Sequence, residues 1–260
     1  HEHKHGVNAG YAKFETFPIW NLPLKHPVNL AYEAATADLD DVNMIDHYHL
    51  AAYGKTTVNY NRDIEVFPVL NRIFETILGE SPYKSPTDMG VNMAGFCISD
   101  DEVVREAAKA EIVRRYFESA CDYREGKCDE NTMLKCELLM ERAEVSIEDR
   151  KVVAPAKEKA AETGMPATAI ELPDGRIITG KTSSLLGSSS AALLDSLKAM
   201  AGIDDKVKLI NPVVIVPVEE LKKTHLGHNN ARLHLDETLL PLAVSAPNNE
   251  TAAKALSCLS

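Results

Sequence analysis

Apolar and polar positions recur along this chain with two periods, and the switches between them predict its elements. Residues 11 to 20 alternate aromatic and apolar positions as a strand does, after which Pro18, Pro23 and Pro27 force a loop carrying Lys25 and His26. Leu30, Ala31, Ala34 and Ala35 then fall at helical spacing and predict a short helix over 28 to 37, broken by the acidic turn Asp38-Leu39-Asp40-Asp41. A second helix is expected over 42 to 53, stopped by Gly54. Residues 56 to 60 read as a strand with Asn61, Arg62 and Asp63 as its polar exit, and 64 to 78 as a helix or a strand plus helix.

The apolar run over 91 to 98 predicts one more strand. Ser99, with Glu102 three positions on, forms a capping-box signature opening a long amphipathic helix that buries Val103, Val104, Ala107, Ala108, Val113, Tyr116, Phe117 and Ala120. Two further helices are expected over 130 to 142 and 146 to 161, their charges forming solvated faces. A hairpin follows, 167 to 172 and 176 to 179 joined by Pro173-Asp174-Gly175. Then come a helix over 188 to 201 closed by Gly202, a Val/Ile-rich strand region over 206 to 218 interrupted by Pro212 and Pro217, and two closing helices. The alternation implies an α/β architecture, with a site-bearing domain over 1–98, a helical segment over 99–165 and a smaller α/β unit over 166–260.

Composition bounds what such a chain can do. The 260 residues are 45% hydrophobic and 26% charged, ordinary for a globular protein. A net charge of −11 opposes a sequence-independent grip on nucleic acid, which needs Lys and Arg to neutralise phosphates. No apolar run is long enough to span a bilayer. The five cysteines are widely spaced without a C-x-x-C pair, which fits reduced thiols and a cytoplasmic location. The chain opens at His1 without Met and closes inside an Ala/Leu-rich helical pattern, so it reads as part of a longer protein.

Two segments satisfy well-known patterns by their letters. Gly175 through Thr182 obeys G-x-x-x-x-G-K-[ST], yet β-branched Ile177, Ile178 and Thr179 favour an extended strand and Gly175 belongs to a turn, so the hairpin reading wins. Lys181, Thr182 and Ser183 are retained as a loop before a helix N-terminus, which attracts anions. His1-Glu2-His3-Lys4-His5 obeys H-E-x-x-H, but it is polar throughout and is followed by Gly6, which suits a helix tail better than a zinc site. Asp46, His47 and His49, and separately His225, His228 and His234, are weaker candidates for metal binding. A G-x-S-x-G elbow is absent from the sequence.

Residues 11 to 63 hold the densest set of chemistry-bearing side chains. Lys13 and Glu15 share a strand face, and His26 and Lys25 occupy a loop able to close on an anion. Asp38 and Asp41, with Asp40, offer hard oxygen ligands of the kind Mg²⁺ takes alongside phosphates, in competition with a role as helix N-cap for the residues from Val42. Asn59, Asn61, Arg62 and Asp63 leave a strand at its carboxyl end, where ligands bind in open α/β sheets, unless they only build a turn.

The segments Tyr11-Ala-Lys-Phe-Glu-Thr-Phe-Pro, His26-Pro-Val-Asn-Leu-Ala-Tyr-Glu, Val58-Asn-Tyr-Asn-Arg-Asp-Ile-Glu, Pro86-Thr-Asp-Met-Gly and Gly180-Lys-Thr-Ser closely resemble the bacterial family called domain of unknown function 1846. The likeness covers essentially the whole chain. It implies a longer protein with a Gly-Ser-Gly-Lys phosphate loop upstream, so that residues 1–98 would be the remainder of a phosphate-loop-like three-layer α/β domain. Some members carry the label ATP-dependent peptidase.

Three readings follow. The first is an ATP- and Mg-dependent phosphoryl-transfer or ligase-type enzyme acting on a small molecule. In it Lys13 and His26 hold phosphates, Asp38 or Asp41 holds Mg²⁺, Arg62 and Asp63 act at the transferred group, and Asn59, Asn61, Lys181, Thr182 and Ser183 bind the nucleotide. The second is a metal-dependent hydrolase or peptidase using a histidine cluster. The third is a non-catalytic metabolite-binding or assembly protein whose helical middle segment forms a homo-oligomer interface.

Overall fold

The computed structural model describes residues 2–7 and 17–259, and Lys13, Glu15 and most of the strand expected over 11 to 20 lie outside the described residues. The chain divides into two compact units, 1–149 and 150–260. The fold is mixed α/β and mostly helical, with two separate two-stranded antiparallel sheets among the described residues. The larger layered sheet of a phosphate-loop-like domain is not seen among them.

In the first unit, helix α1 (Pro27–Ala35) starts with proline at its first position, where a missing N–H costs nothing, and the His26 ring Nδ1 accepts the Val28 N–H at 3.2 Å. Leu30 and Ala34 on α1 pack against Ile112 and Val113 of α5 (Asp101–Arg124) and Leu139 and Met140 of α6 (Glu130–Arg142), forming the core of this unit. Helix α5 begins one residue later than the Ser99 signature predicts, because the Asp100 carboxylate accepts the N–H groups of Glu102 and Val103. Val103 is exposed, contrary to expectation. The helix expected over 42 to 53 is split: β1 (Asn43–Ile45) pairs with β2 (Val58–Tyr60), and α2 (His47–Tyr53) starts only after Asp46, whose side chain accepts the His49 N–H at 3.0 Å. Strand pairing here overrides the helical spacing of the apolar residues.

Helix α3 (Asn61–Leu78) follows β2 directly, so Asn61, Arg62 and Asp63 form its first turn rather than an exit loop. The strand expected over 91 to 98 is a 3-10 turn, Ala94–Cys97, with a lone bridge between Ile19 and Asn92. Asn92 closes that turn by accepting the Ala94 N–H, and Met93 and Phe96 are left exposed. A single turn of helix, α4 (Pro86–Met89), precedes it with a capping box between Ser85 and Asp88.

The second unit begins with α7 (Val153–Thr163), preceded by a 3-10 turn, Ile147–Asp149, that Ser146 and Asp149 close. The helical stretch expected as one segment over 99–165 is thus divided, α5 and α6 lying in the first unit and α7 in the second. The hairpin β3 (Ala167–Glu171) and β4 (Ile177–Lys181) pairs Ile170 with Ile178 across the turn in which Gly175 has φ +84°. Helix α8 (Ser188–Ala201) packs on this hairpin and ends at Gly202 in the left-handed region. The Val/Ile-rich stretch expected as strand is helix α9 (Pro212–Thr224), with Asn211 capping and Pro212 at the first position. Its apolar residues are placed at helical spacing, Val214, Ile215 and Val218 joining the core while Val213 is exposed. Helices α10 (Leu235–Ser245) and α11 (Glu250–Leu256) complete a core built on Leu194, Leu197, Leu209, Ile215, Leu233 and Leu242.

Candidate functional site

The residues of 26 to 63 that suggest phosphate and metal chemistry are drawn together, but into contacts with one another and with backbone. His26 is buried, with one ring nitrogen on Val28 and Nε2 3.0 Å from Asp101 Oδ1. Arg105, with His26, holds the Asp101 carboxyl below its ordinary 3.8. Buried Asp41 accepts a 3.1 Å hydrogen bond from Arg62, so the expected metal ligand and the expected charge stabiliser form an ion pair. Asn59 accepts the neighbouring Tyr60 N–H and Asn61 accepts the Val42 N–H, both at 2.8 Å, which fixes the ends of the β1–β2 pair. Asp38 is exposed in the 3-10 turn Ala37–Leu39, and Asp63 is in the first turn of α3, where an acid favours the helix dipole.

A polar network centred on buried Asp46 and His49, two of the histidine-cluster residues singled out in the sequence, lies alongside. The Asp46 carboxylate accepts from the His49 and Thr87 backbones and, at 2.5 Å, from the Thr87 hydroxyl, which also bonds Thr57. His49 Nδ1 lies 2.9 Å from Ser85 Oγ. Asp88 accepts from the Tyr53 hydroxyl, and that bond raises the Tyr53 pKa above its usual 10. Each side chain in this network is used in closing α2 onto α4. Among the described residues no group of three His, Cys, Asp or Glu side chains stands close enough to hold a metal. Of the H-E-x-x-H letters, Glu2–His5 form a 3-10 turn ended by Gly6, and His1 lies outside the described residues.

The second unit holds a cavity of about 500 Å³ whose walls come from four pieces of chain: Met165 and Pro166, Thr182, the first turn of α8 from Gly187 to Ser190, and Asn230, Arg232 and His234–Asp236 leading into α10. Its construction follows from a few bonds. Gly187 N–H and the Ser190 hydroxyl both reach the Leu233 carbonyl, at 3.1 and 3.0 Å, so the starts of α8 and α10 are tied side by side. Thr182 donates its N–H to the Pro166 carbonyl at 2.8 Å. Arg232 Nε donates to the Ser183 carbonyl at 2.7 Å, and no carboxylate pairs with this guanidinium among the described residues. Lys222, 2% exposed, holds the loop from behind, donating to the Arg232 carbonyl at 2.7 Å and to Glu237 Oε2 at 2.6 Å. Burial pushes the Glu237 carboxyl up, but the His234 N–H and Lys222 together outweigh it and leave the group below its ordinary 4.5.

The electrostatics of this cavity favour an anion. Helix α8 follows a glycine and has no side-chain cap, and its first turn lines the cavity together with Arg232. Asp236 supplies one carboxylate at the rim, while Met165, Pro166 and Leu235 make an apolar wall. Among the residues expected in a ligand loop, Thr182 lines this cavity. Lys181 does not, being an exposed strand residue, and the Ser183 hydroxyl is used in accepting the Leu185 and Leu186 N–H groups. Arg232 and Asn230 gave no sequence signal, because they sit in a loop with no motif. The Ser188-Ser189-Ser190 run after Gly187 was the sign available.

No helix of the described residues is long and apolar enough to cross a membrane. A family model described as "Domain of unknown function DUF1846, N-terminal" matches residues 1–144, and its C-terminal counterpart matches 148–260. The UPF0371 protein str1377 of Streptococcus thermophilus is 59% identical over 260 residues, covering 100% of this chain and 53% of the relative. A UPF0371 protein of Streptococcus pneumoniae (strain Hungary19A-6) is 58% identical over 256 residues, 98% of this chain and 52% of the relative. The chain spans about half the length of the curated relatives it matches. With both halves of the family model covered, the chain belongs to the DUF1846 family, a family of unknown function.

Proposed function

We propose that this chain binds a phosphorylated small molecule, a nucleotide such as ATP, in the cavity at the start of α8 and α10, as part of a phosphoryl-transfer or ligase-type enzyme. The observation that carries this reading is the convergence of the uncapped α8 N-terminus, Arg232 and Thr182 on one cavity of about 500 Å³. That volume lies in the range of small-molecule sites. Backbone N–H groups and the guanidinium suit phosphate oxygens, and the wall of Met165, Pro166 and Leu235 suits a flat apolar group such as a nucleobase. A Mg²⁺ ion would neutralise phosphate charge, with Asp236 the carboxylate placed to share it. His26, Asp41 and Arg62, expected at such a site, are engaged in contacts within the first unit.

Titration calorimetry of this chain and of the full-length S. thermophilus relative with ATP, ADP and inorganic phosphate, with and without Mg²⁺, tests the proposal. Binding is expected, weakened at least tenfold by Arg232→Ala, which removes a charged donor worth about 1.5–3 kcal/mol. The absence of heat with every ligand, or unchanged affinity in Arg232→Ala, sinks it. Binding without any ATP turnover by the full-length protein would move the reading to a metabolite-binding role.

A further inference from the structure

Helix α3 carries apolar residues well beyond the face that it buries. Ile64, Phe67 and Phe74 line the side turned to the rest of the first unit, with Ile64 and Phe67 buried. A second row, Val66, Val69, Ile73 and Ile77, recurs at intervals of three, four and four residues, with half-buried Leu70 at its edge. Those four are 43–61% exposed. Glu65, Arg72 and Thr76 border the row on one flank, while on the other Leu70 and Phe74 join it to the buried face, so the apolar surface of this helix extends well past the part that the unit covers. Contiguous exposed apolar surface of this kind marks an interface.

We propose that this row is a docking face for the part of the full-length polypeptide that lies outside these 260 residues. Relatives that align with the whole of this chain devote only 53% of their length to it, so nearly as much polypeptide again is tethered to this helix. Tethering gives such a partner an effective concentration that no separate molecule matches. A second copy of the helix is the less fitting occupant, because the row spans fewer than two heptads and a self-standing coiled coil needs about three or more.

The test compares amide hydrogen exchange in the full-length S. thermophilus relative with that in the same protein cut to the region aligned with this chain. Peptides matching α3 are expected to exchange at least tenfold more slowly in the full-length protein, at concentrations where light scattering shows a monomer. Equal exchange in the two proteins overturns the proposal. So does slow exchange that is lost on dilution from dimer to monomer, which assigns the face to a second copy. As a control on the face itself, Val69→Asp with Ile73→Asp in this 260-residue chain is expected to leave its melting temperature within a few degrees, as exposed substitutions do. Unfolding by this pair would place the row in the chain's own core and overturn the proposal as well.

Discussion

Gly180 shows how one missing side chain sets the second unit. A Cβ there would stand 2.1 Å from the Ala192 backbone nitrogen, so the strand β4 can lie on α8 only with glycine at this point. Backbone cannot swing aside as a long side chain would. Gly180→Ala is therefore expected to cost about 3 kcal/mol, and in a melting experiment to lower the transition by about 10 °C; a shift under 2 °C would mean that the strand and helix slide apart freely. The same glycine is the second one of the G-x-x-x-x-G-K-[ST] letters. Close packing requires it, which explains how a match to a phosphate-binding pattern arises in a hairpin. Asp41 and Arg62 teach a related lesson, since residue types suited to metal and phosphate work are equally suited to neutralising each other at 3.1 Å.

At the level of elements, the start of α10 depends on the protonation of one carboxylate. Glu237 accepts the His234 N–H at 2.8 Å and the Lys222 ammonium at 2.6 Å, and its pKa in the folded state is below the ordinary 4.5. A depressed folded pKa contributes stability that is present above 4.5 and lost as pH falls through the folded value. Glu237→Gln should therefore flatten the loss of stability between pH 5 and the acid limit, measured by urea unfolding across that range. An unchanged slope would show that the pair contributes nothing there. Elements whose limits are fixed by local chemistry were legible in the sequence. Those include α6 with its Asp129 cap, the hairpin with its Pro-Asp-Gly turn, and α8 ending at Gly202. Those settled by distant partners were not: β1 exists because 58–60 lies beside it, and the start of α9 reads as strand until Asn211 and Pro212 are seen as cap and first turn. Of the cavity's lining, Thr182 and His234 were singled out in the sequence, though in different readings, while Arg232 entered it only through the tie between Gly187 and Leu233.

For the whole chain, amphipathic spacing showed that 99–165 is helical without showing which core each helix joins. Leu139 and Met140 of α6 meet Leu30 of α1 more than a hundred positions earlier, a pairing no local pattern encodes. Both hydrophobic cores are closed within one unit, residues 30–147 in the first and 185–258 in the second, and the family models change over between 144 and 148, next to the division at 149. A unit that owns its core carries the main driving force for its own folding. Expressed separately, residues 1–149 and 150–260 should each melt in one cooperative transition, and limited proteolysis of the intact chain should cut first near 149. The second unit is the sharper case: it contains the whole cavity, from Met165 to Asp236, so under the proposed function residues 150–260 alone should bind nucleotide or phosphate as tightly as the full 260-residue chain does. A folded but non-binding fragment would show that the cavity needs side chains from elsewhere, and an unfolded one that its core is completed by the first unit.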